Sequence, residues 1–144
     1  MDLVQKYVIP NTITPFMLSA MQFIFDKFFY DYTNKQAFYD SMLSLGSLVG
    51  SKVLTNTLVA KTVGVLDNYY ANNFISYLSE PLLNYLIYGY LYQEKFKKTQ
   101  DGYKSKSETS LMIMPLIQSI IGMFLDGTVV QWITGYNKSN IYSL

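Results

Sequence analysis

Fifteen consecutive residues without a charge, LMIMPLIQSIIGMFL from Leu111 to Leu125, constrain what this chain can fold into more than any other feature. The run reads as a helix that starts after the hydroxyl-rich stretch Ser107 to Ser110. Taken on across Asp126 to Tyr136, the segment is long enough to span a bilayer with a tilt. Its end carries Trp132 and Tyr136, residues that suit a membrane interface. Runs of this length also suit the buried helix of a soluble protein, so the run alone does not decide between lipid and protein surroundings.

The remaining pattern is helical as well. Thr14-Pro15 reads as a helix start, with the hydroxyl capping free N–H groups and proline at the first helical position. The helix that follows, PFMLSAMQFIFDKFFYDY, has 11 uncharged residues from Pro15 to Phe25 before Asp26 and Lys27. That charged pair is expected to reach out to a boundary, beside the aromatic belt Phe28, Phe29, Tyr30 and Tyr32. A second helix is expected from about Gln36 to Leu66. It is rich in Ser and Thr, the least lipid-like of the long segments, and is expected to pack inside protein. Asp67-Asn68 breaks it, and Asn68 to Gln93 follows, with Ser79-Glu80-Pro81 as either a kink or a fresh start. Its second part, PLLNYLIYGYLY, places Tyr85, Tyr88 and Tyr92 on one face. Residues 94–110 read as a solvated connecting loop holding Lys95, Lys97, Lys98, Lys104 and Lys106. The expected fold is therefore all-α: one domain over residues 1–144, a membrane-associated bundle of about four helices with short turns and one lysine-rich loop.

Composition narrows the function classes. The chain has no cysteine, no histidine and no arginine, so all 11 basic residues are lysine. Disulfides, thiolate and imidazole metal ligands, histidine general bases and the guanidinium fork are excluded. No spacing among the remaining Asp, Glu, Lys, Ser, Thr and Tyr residues marks a catalytic site, and no metal, cofactor or small-molecule substrate is expected. A net charge of +1 argues against a nucleic-acid partner. With half of the residues apolar and 15 % charged, the chain is not disordered.

The stretch GSLVGSK, Gly46 to Lys52, resembles a phosphate loop only superficially. Its glycines are one residue too close, Ser51 intervenes before Lys52, and Val53 stands where a magnesium-binding hydroxyl belongs. The preceding FYDSMLSL lacks strand alternation. Ser44, Gly46, Ser47, Gly50 and Ser51 instead form a small-residue surface at helical spacing, which favours close helix–helix approach.

Four charges within the helices, Lys52, Lys61, Glu80 and Asp126, are the candidate interior groups. A charge inside a bilayer faces a partner, a cavity or water, so these residues either pair across helices or line an ion path. An internal echo links Pro81-Leu82-Leu83-Asn84 with Pro115-Leu116-Ile117-Gln118: a proline, then an amide three positions on. Asn137-Lys138-Ser139 has the form of a glycosylation sequon.

The lysines divide unequally. With four crossings, the turn at Lys35 and the loop at residues 94–110 share one side and hold six lysines, against Lys6 and Lys138 on the other. The positive-inside rule then places the loop in the cytosol and both termini opposite. The arginine-free, Tyr/Asn/Lys-rich composition and the helix–loop order, clearest in PLLNYLIYGYLY and LMIMPLIQSIIGMFL, resemble the membrane-associated minor capsid proteins of large icosahedral DNA viruses with an internal membrane. That resemblance implies a non-enzymatic structural protein linking a capsid shell to the membrane beneath it, with lipid and capsid proteins as partners. A small channel, transporter or membrane-permeabilising protein and a soluble all-α interaction protein are the alternatives.

Overall fold

The computed structural model describes residues 9–58 and 69–125, together with Thr128 and Trp132. Lys61, Asp126, the Asp67-Asn68 break and the Asn137 sequon lie outside the described residues. Among the described residues every element is helical: α1 (Ile9–Phe29), α2 (Asn34–Leu58), α3 (Tyr69–Leu91) and α4 (Glu108–Leu125).

Helix ends follow local chemistry. Helix α1 begins before the expected cap and carries Pro15 inside it. It ends where Asp31 takes a left-handed φ of 54°, a region that Asp tolerates better than most residues. The N–H groups of both Tyr30 and Tyr32 donate to the Asp26 carbonyl there. A capping box opens α2: Gln36 N–H donates to Thr33 Oγ1 at 3.1 Å and Thr33 N–H donates to Gln36 Oε1 at 3.1 Å. Helix α3 runs unbroken through Pro81, so Ser79-Glu80-Pro81 is not a fresh start. It continues through a π turn, Tyr92–Phe96, into a last α turn, Lys97–Thr99. The connection expected over residues 94–110 is thus shorter, because Glu94 to Thr99 stay helical and only residues 100–107 are loop. Ser107 starts α4, its Oγ accepting from Ser110 N–H at 3.1 Å.

The four helices run up, down, up and down. Ser19 bonds Ser41, Ser47 bonds Asn84, and Asn84 bonds the Pro115 carbonyl, so each helix is antiparallel to the next. Gln118 donates to Gln22 Oε1, closing α4 onto α1. The turn between α1 and α2 and the loop between α3 and α4 meet at one end, where Tyr32 Oη donates to the Lys104 carbonyl and Gln36 Nε2 to the Asp101 carbonyl.

Polar side chains are concentrated in the seams between the described helices, beside an aromatic cluster of Tyr32, Tyr88, Tyr92 and Phe96, and large apolar side chains on their outer faces. The buried seam of α2 reads Ala37, Asp40, Ser41, Ser44, Ser47, Leu48, Ser51, Lys52 and Thr55, a helical stripe that is mostly polar. Ser19, Gln22 and Asp26 of α1, Glu80 and Asn84 of α3, and Gln118 and Ser119 of α4 are also buried. The exposed faces carry the large apolar side chains: Phe16, Met21, Ile24 and Phe28 on α1; Phe38, Met42 and Leu54 on α2; Leu78, Leu82, Leu86 and Tyr90 on α3; Ile113, Ile117, Ile120 and Phe124 on α4. By length and composition one described helix, α4, is long and apolar enough to cross a membrane.

The small-residue surface packs only in part. Ser44, Ser47 and Ser51 are buried against neighbouring helices, and a Cβ on Gly50 would meet Ile87 Cδ1 at 3.8 Å. Gly46 does not take part, because it lies on the exposed side and a Cβ there would meet nothing within 4 Å. The glycine that does permit close approach is Gly122, where a Cβ would lie 3.0 Å from Leu18 Cδ1 and 3.2 Å from Thr14 Cγ2 of α1.

Candidate functional site: a buried ion cluster under the loop

One turn before the end of α1, Asp26 points into the bundle and is fully buried. It therefore does not reach out to a boundary as its sequence context predicted. Ser19, Gln22 and Asp26 stand at i, i+3 and i+7, one face of the helix, and that face turns inward. Asp40, two turns into α2, is likewise fully buried opposite it. Between them sits Lys106, which comes from the loop and is 5 % exposed. Lys106 is therefore not a solvated contact residue, whereas Lys95, Lys98 and Lys104 are exposed and Lys97 partly so.

The Lys106 ammonium lies 2.8 Å from Asp26 Oδ1 and 2.7 Å from Asp40 Oδ2, and donates to Tyr88 Oη at 3.0 Å. Tyr88 Oη in turn donates to Asp40 Oδ1 at 2.8 Å. Gln22 Nε2 donates to both acids, at 3.1 Å to Asp26 Oδ1 and 3.0 Å to Asp40 Oδ2. Gln22 is itself held by Gln118. Aromatic rings surround the cation, with Lys106 Nζ 5.1 Å from the Tyr30 ring centre, 5.5 Å from Tyr88, and 5.8 Å from Tyr32 and Tyr92. A desolvated ammonium over several ring faces gains cation–π attraction from each.

Burial by itself would lower the Lys106 pKa, but the Asp40 and Asp26 carboxylates outweigh it and hold the group above the usual lysine range. Lys106 is thus a fixed positive charge. Burial, and then the adjacent Tyr92 hydroxyl, push Tyr32 above the usual tyrosine range; burial raises Tyr92 as well. Both hydroxyls remain neutral donors.

An aromatic floor keeps water from the cluster on its loop side. Phe96 stacks on Tyr92 at 4.9 Å and on Tyr32 at 5.3 Å, and Tyr103 meets Phe96 edge-on at 4.9 Å. Tyr92 and Phe96, four residues apart at the two ends of the π turn, both face inward and are fully buried. Tyr92 Oη accepts from the Lys106 N–H at 3.1 Å and shares a 2.8 Å bond with Tyr32 Oη, which ties the loop backbone to the cluster.

A second charged pair stands further from this end. Lys52 Nζ lies 3.9 Å from Glu80 Oε1, both buried. Two of the four charges singled out in the sequence are therefore neighbours across α2 and α3; Lys61 and Asp126 lie outside the described residues. Between the two charged groups, Asn84 joins three helices. Ser47 Oγ donates to Asn84 Oδ1 at 2.6 Å, and Asn84 Nδ2 donates to the Pro115 carbonyl at 2.9 Å. Asn84 and Gln118, the amides of the internal echo, both face the interior and bridge helices.

The seven-residue spacing of Ser19 to Asp26 and the position of Asp40 on the α2 stripe were the available signals for the acids. Lys106 gave none, since it sits among exposed lysines. Among the described residues no group of three or more acidic side chains converges to hold a metal ion. What the arrangement offers chemically is a buried, charge-dense lock rather than a nucleophile with its base. The chain matches no protein-family model, no curated protein and no solved structure.

Proposed function

We propose that the chain is a non-enzymatic structural membrane protein, a helical bundle seated in a bilayer that holds a larger assembly to it through its lysine-bearing end. The observation that carries this reading is the polarity of the bundle: serine, amide and charged side chains inside, and Phe, Leu, Ile and Met outside on all four helices. In water an exposed apolar surface of that extent is a liability, whereas in lipid it is the required exterior. Helices in lipid associate through small residues and interhelical hydrogen bonds, the roles filled here by Gly122, Ser19, Ser47, Asn84 and Gln118.

Length supports the same reading. At about 1.5 Å per residue, the 21, 25, 23 and 18 residues of α1 to α4 span roughly 31, 37, 34 and 27 Å, against a hydrocarbon layer of about 30 Å. Helices α1 to α3 have lower mean hydropathy than α4 because the average counts interior polar residues that never face the surroundings. Lys35, Lys95, Lys98 and Lys104 are exposed at one end, the charge asymmetry of a cytosolic face. That end would meet anionic headgroups or an acidic protein surface. The resemblance to membrane-associated minor capsid proteins makes a capsid shell the proposed assembly.

Alkaline carbonate washing of membranes from cells expressing the chain tests this. An integral bundle stays with the membrane. Release into the wash, or purification without detergent, favours a soluble interaction protein and overturns the reading.

The two buried charged groups, with Ser47 and Asn84 buried between them, support a second reading, a small proton or ion pathway. It predicts flux in vesicles that Asp26→Asn or Glu80→Gln reduces. Vesicles that remain tight contradict it.

A further inference from the structure

The hydrogen bonds of the buried cluster leave one place unfilled. Lys106 has three N–H donors, and they go to Asp26 Oδ1, Asp40 Oδ2 and Tyr88 Oη. Gln22 Nε2 has two, which go to Asp26 Oδ1 and Asp40 Oδ2. The single hydroxyl proton of Tyr88 goes to Asp40 Oδ1. Every donor is then used, and Asp26 Oδ2, fully buried, has no hydrogen-bond partner.

Charge leaves the same deficit. Among the described residues, the charged or titratable groups facing the cluster are Asp26 from α1, Tyr30 and Tyr32 from the turn, Asp40 from α2, Tyr88 from α3, Tyr92 from the π turn and Lys106 from the loop; α4 contributes only the neutral Gln118. The cluster thus has two carboxyl groups for one ammonium. With both acids ionised it would hold one uncompensated negative charge in a buried site, a costly state. The two carboxyl groups are held side by side, because Lys106 Nζ and Gln22 Nε2 each bond an oxygen of both, and like charges so placed disfavour joint ionisation.

We propose that Asp26 and Asp40 jointly bind one proton, carried on Asp26 Oδ2, in a site closed by Lys106. The proton occupies the oxygen that no donor reaches and brings the cluster to neutrality in one step. Because Lys106 belongs to residues 100–107, the site also seats the loop that carries Lys104 onto the bundle end. Proton loss leaves an unmatched charge beneath that loop and weakens its seating, so presentation of the lysine end depends on proton occupancy. This inference does not rest on the bilayer reading, since the bonding count is the same for a bundle in lipid, in detergent or in water.

The test is infrared spectroscopy of the purified full chain, ¹³C-labelled at aspartate, near neutral pH. A carboxylic-acid C=O band is expected in the wild type and in Asp31→Asn, an exposed control, and is expected to vanish in Asp26→Asn. A wild-type spectrum with carboxylate bands only, or a band unchanged in Asp26→Asn, overturns the proposal. Denaturation midpoints give a second readout. Asparagine at position 26 copies the protonated acid, so Asp26→Asn should leave the midpoint unchanged, whereas Asp40→Asn, which sets an amide against Lys106 and Tyr88, should lower it. Equal losses in the two variants, the opposite order, or failure of Asp26→Asn to fold contradicts a proton on Asp26.

Discussion

Lys106 bonds acids from two different helices and pins a loop, so its removal takes the one cation away from two buried carboxyl groups. Breaking a buried ion pair by deleting one partner costs about 3–5 kcal/mol. Lys106→Met, which keeps the stem and removes the charge, should lower unfolding stability by that order in a denaturant titration. An equal change at exposed Lys104 should be nearly neutral. The pH dependence has a definite sign. The folded Lys106 pKa lies above the ordinary value of 10.5, so its stabilising contribution is complete below that value and is lost as pH rises through the folded pKa. Thermal midpoints should therefore fall on the strongly alkaline side in the wild type, with a shallower fall in Lys106→Met. Sequence alone made little of this legible. Asp40 and Lys106 are 66 residues apart, and nothing local marks Lys106 among its loop neighbours. Asp26 beside Lys27 reads as a boundary pair until the partner on α2 is seen.

Elements were easier to read, because helix patterns are local. The four helices and the order of turns follow from apolar runs and breakers, whereas the Thr33–Gln36 capping box, which starts α2 at Asn34 rather than at the expected Gln36, is seen only in the structure. Removing it with Thr33→Ala should cost about 1 kcal/mol, measurable as a midpoint shift. Harder to read was which glycine lies between helices. Both Gly46 and Gly122 sit on helices with small neighbours, and only the assembled bundle turns Gly122 toward Leu18 and Gly46 away. Gly122→Leu should overpack the α1–α4 seam and destabilise by about 1–3 kcal/mol, while Gly46→Leu should leave packing unchanged. Similar losses in both variants would argue that the seam is not where the structure puts it. The π turn was not legible either, since one added residue per turn leaves no sequence mark.

For the whole molecule, polarity is the deciding property. Ser44, Ser47 and Ser51 read from sequence as part of a small-residue surface, and the structure adds Asp40, Ser41, Lys52 and Thr55 to make it a polar seam at the bundle centre. The face opposite is apolar, as are the outer faces of the other three helices. Averaged hydropathy hid this in α1 to α3, because inward and outward residues alternate within each turn. The central claim is that the outward faces meet lipid. It is most directly tested by spin labels at single cysteines, which the cysteine-free chain accepts without background. In reconstituted vesicles, labels at Met42, Leu86 and Ile117 should be relaxed by oxygen dissolved in the bilayer and shielded from a water-soluble nickel reagent, whereas a label at Lys104 should show the opposite. Equal nickel access at Met42, Leu86, Ile117 and Lys104 would mean that the apolar faces meet water or a soluble partner, and the account of this chain as a membrane bundle would be wrong.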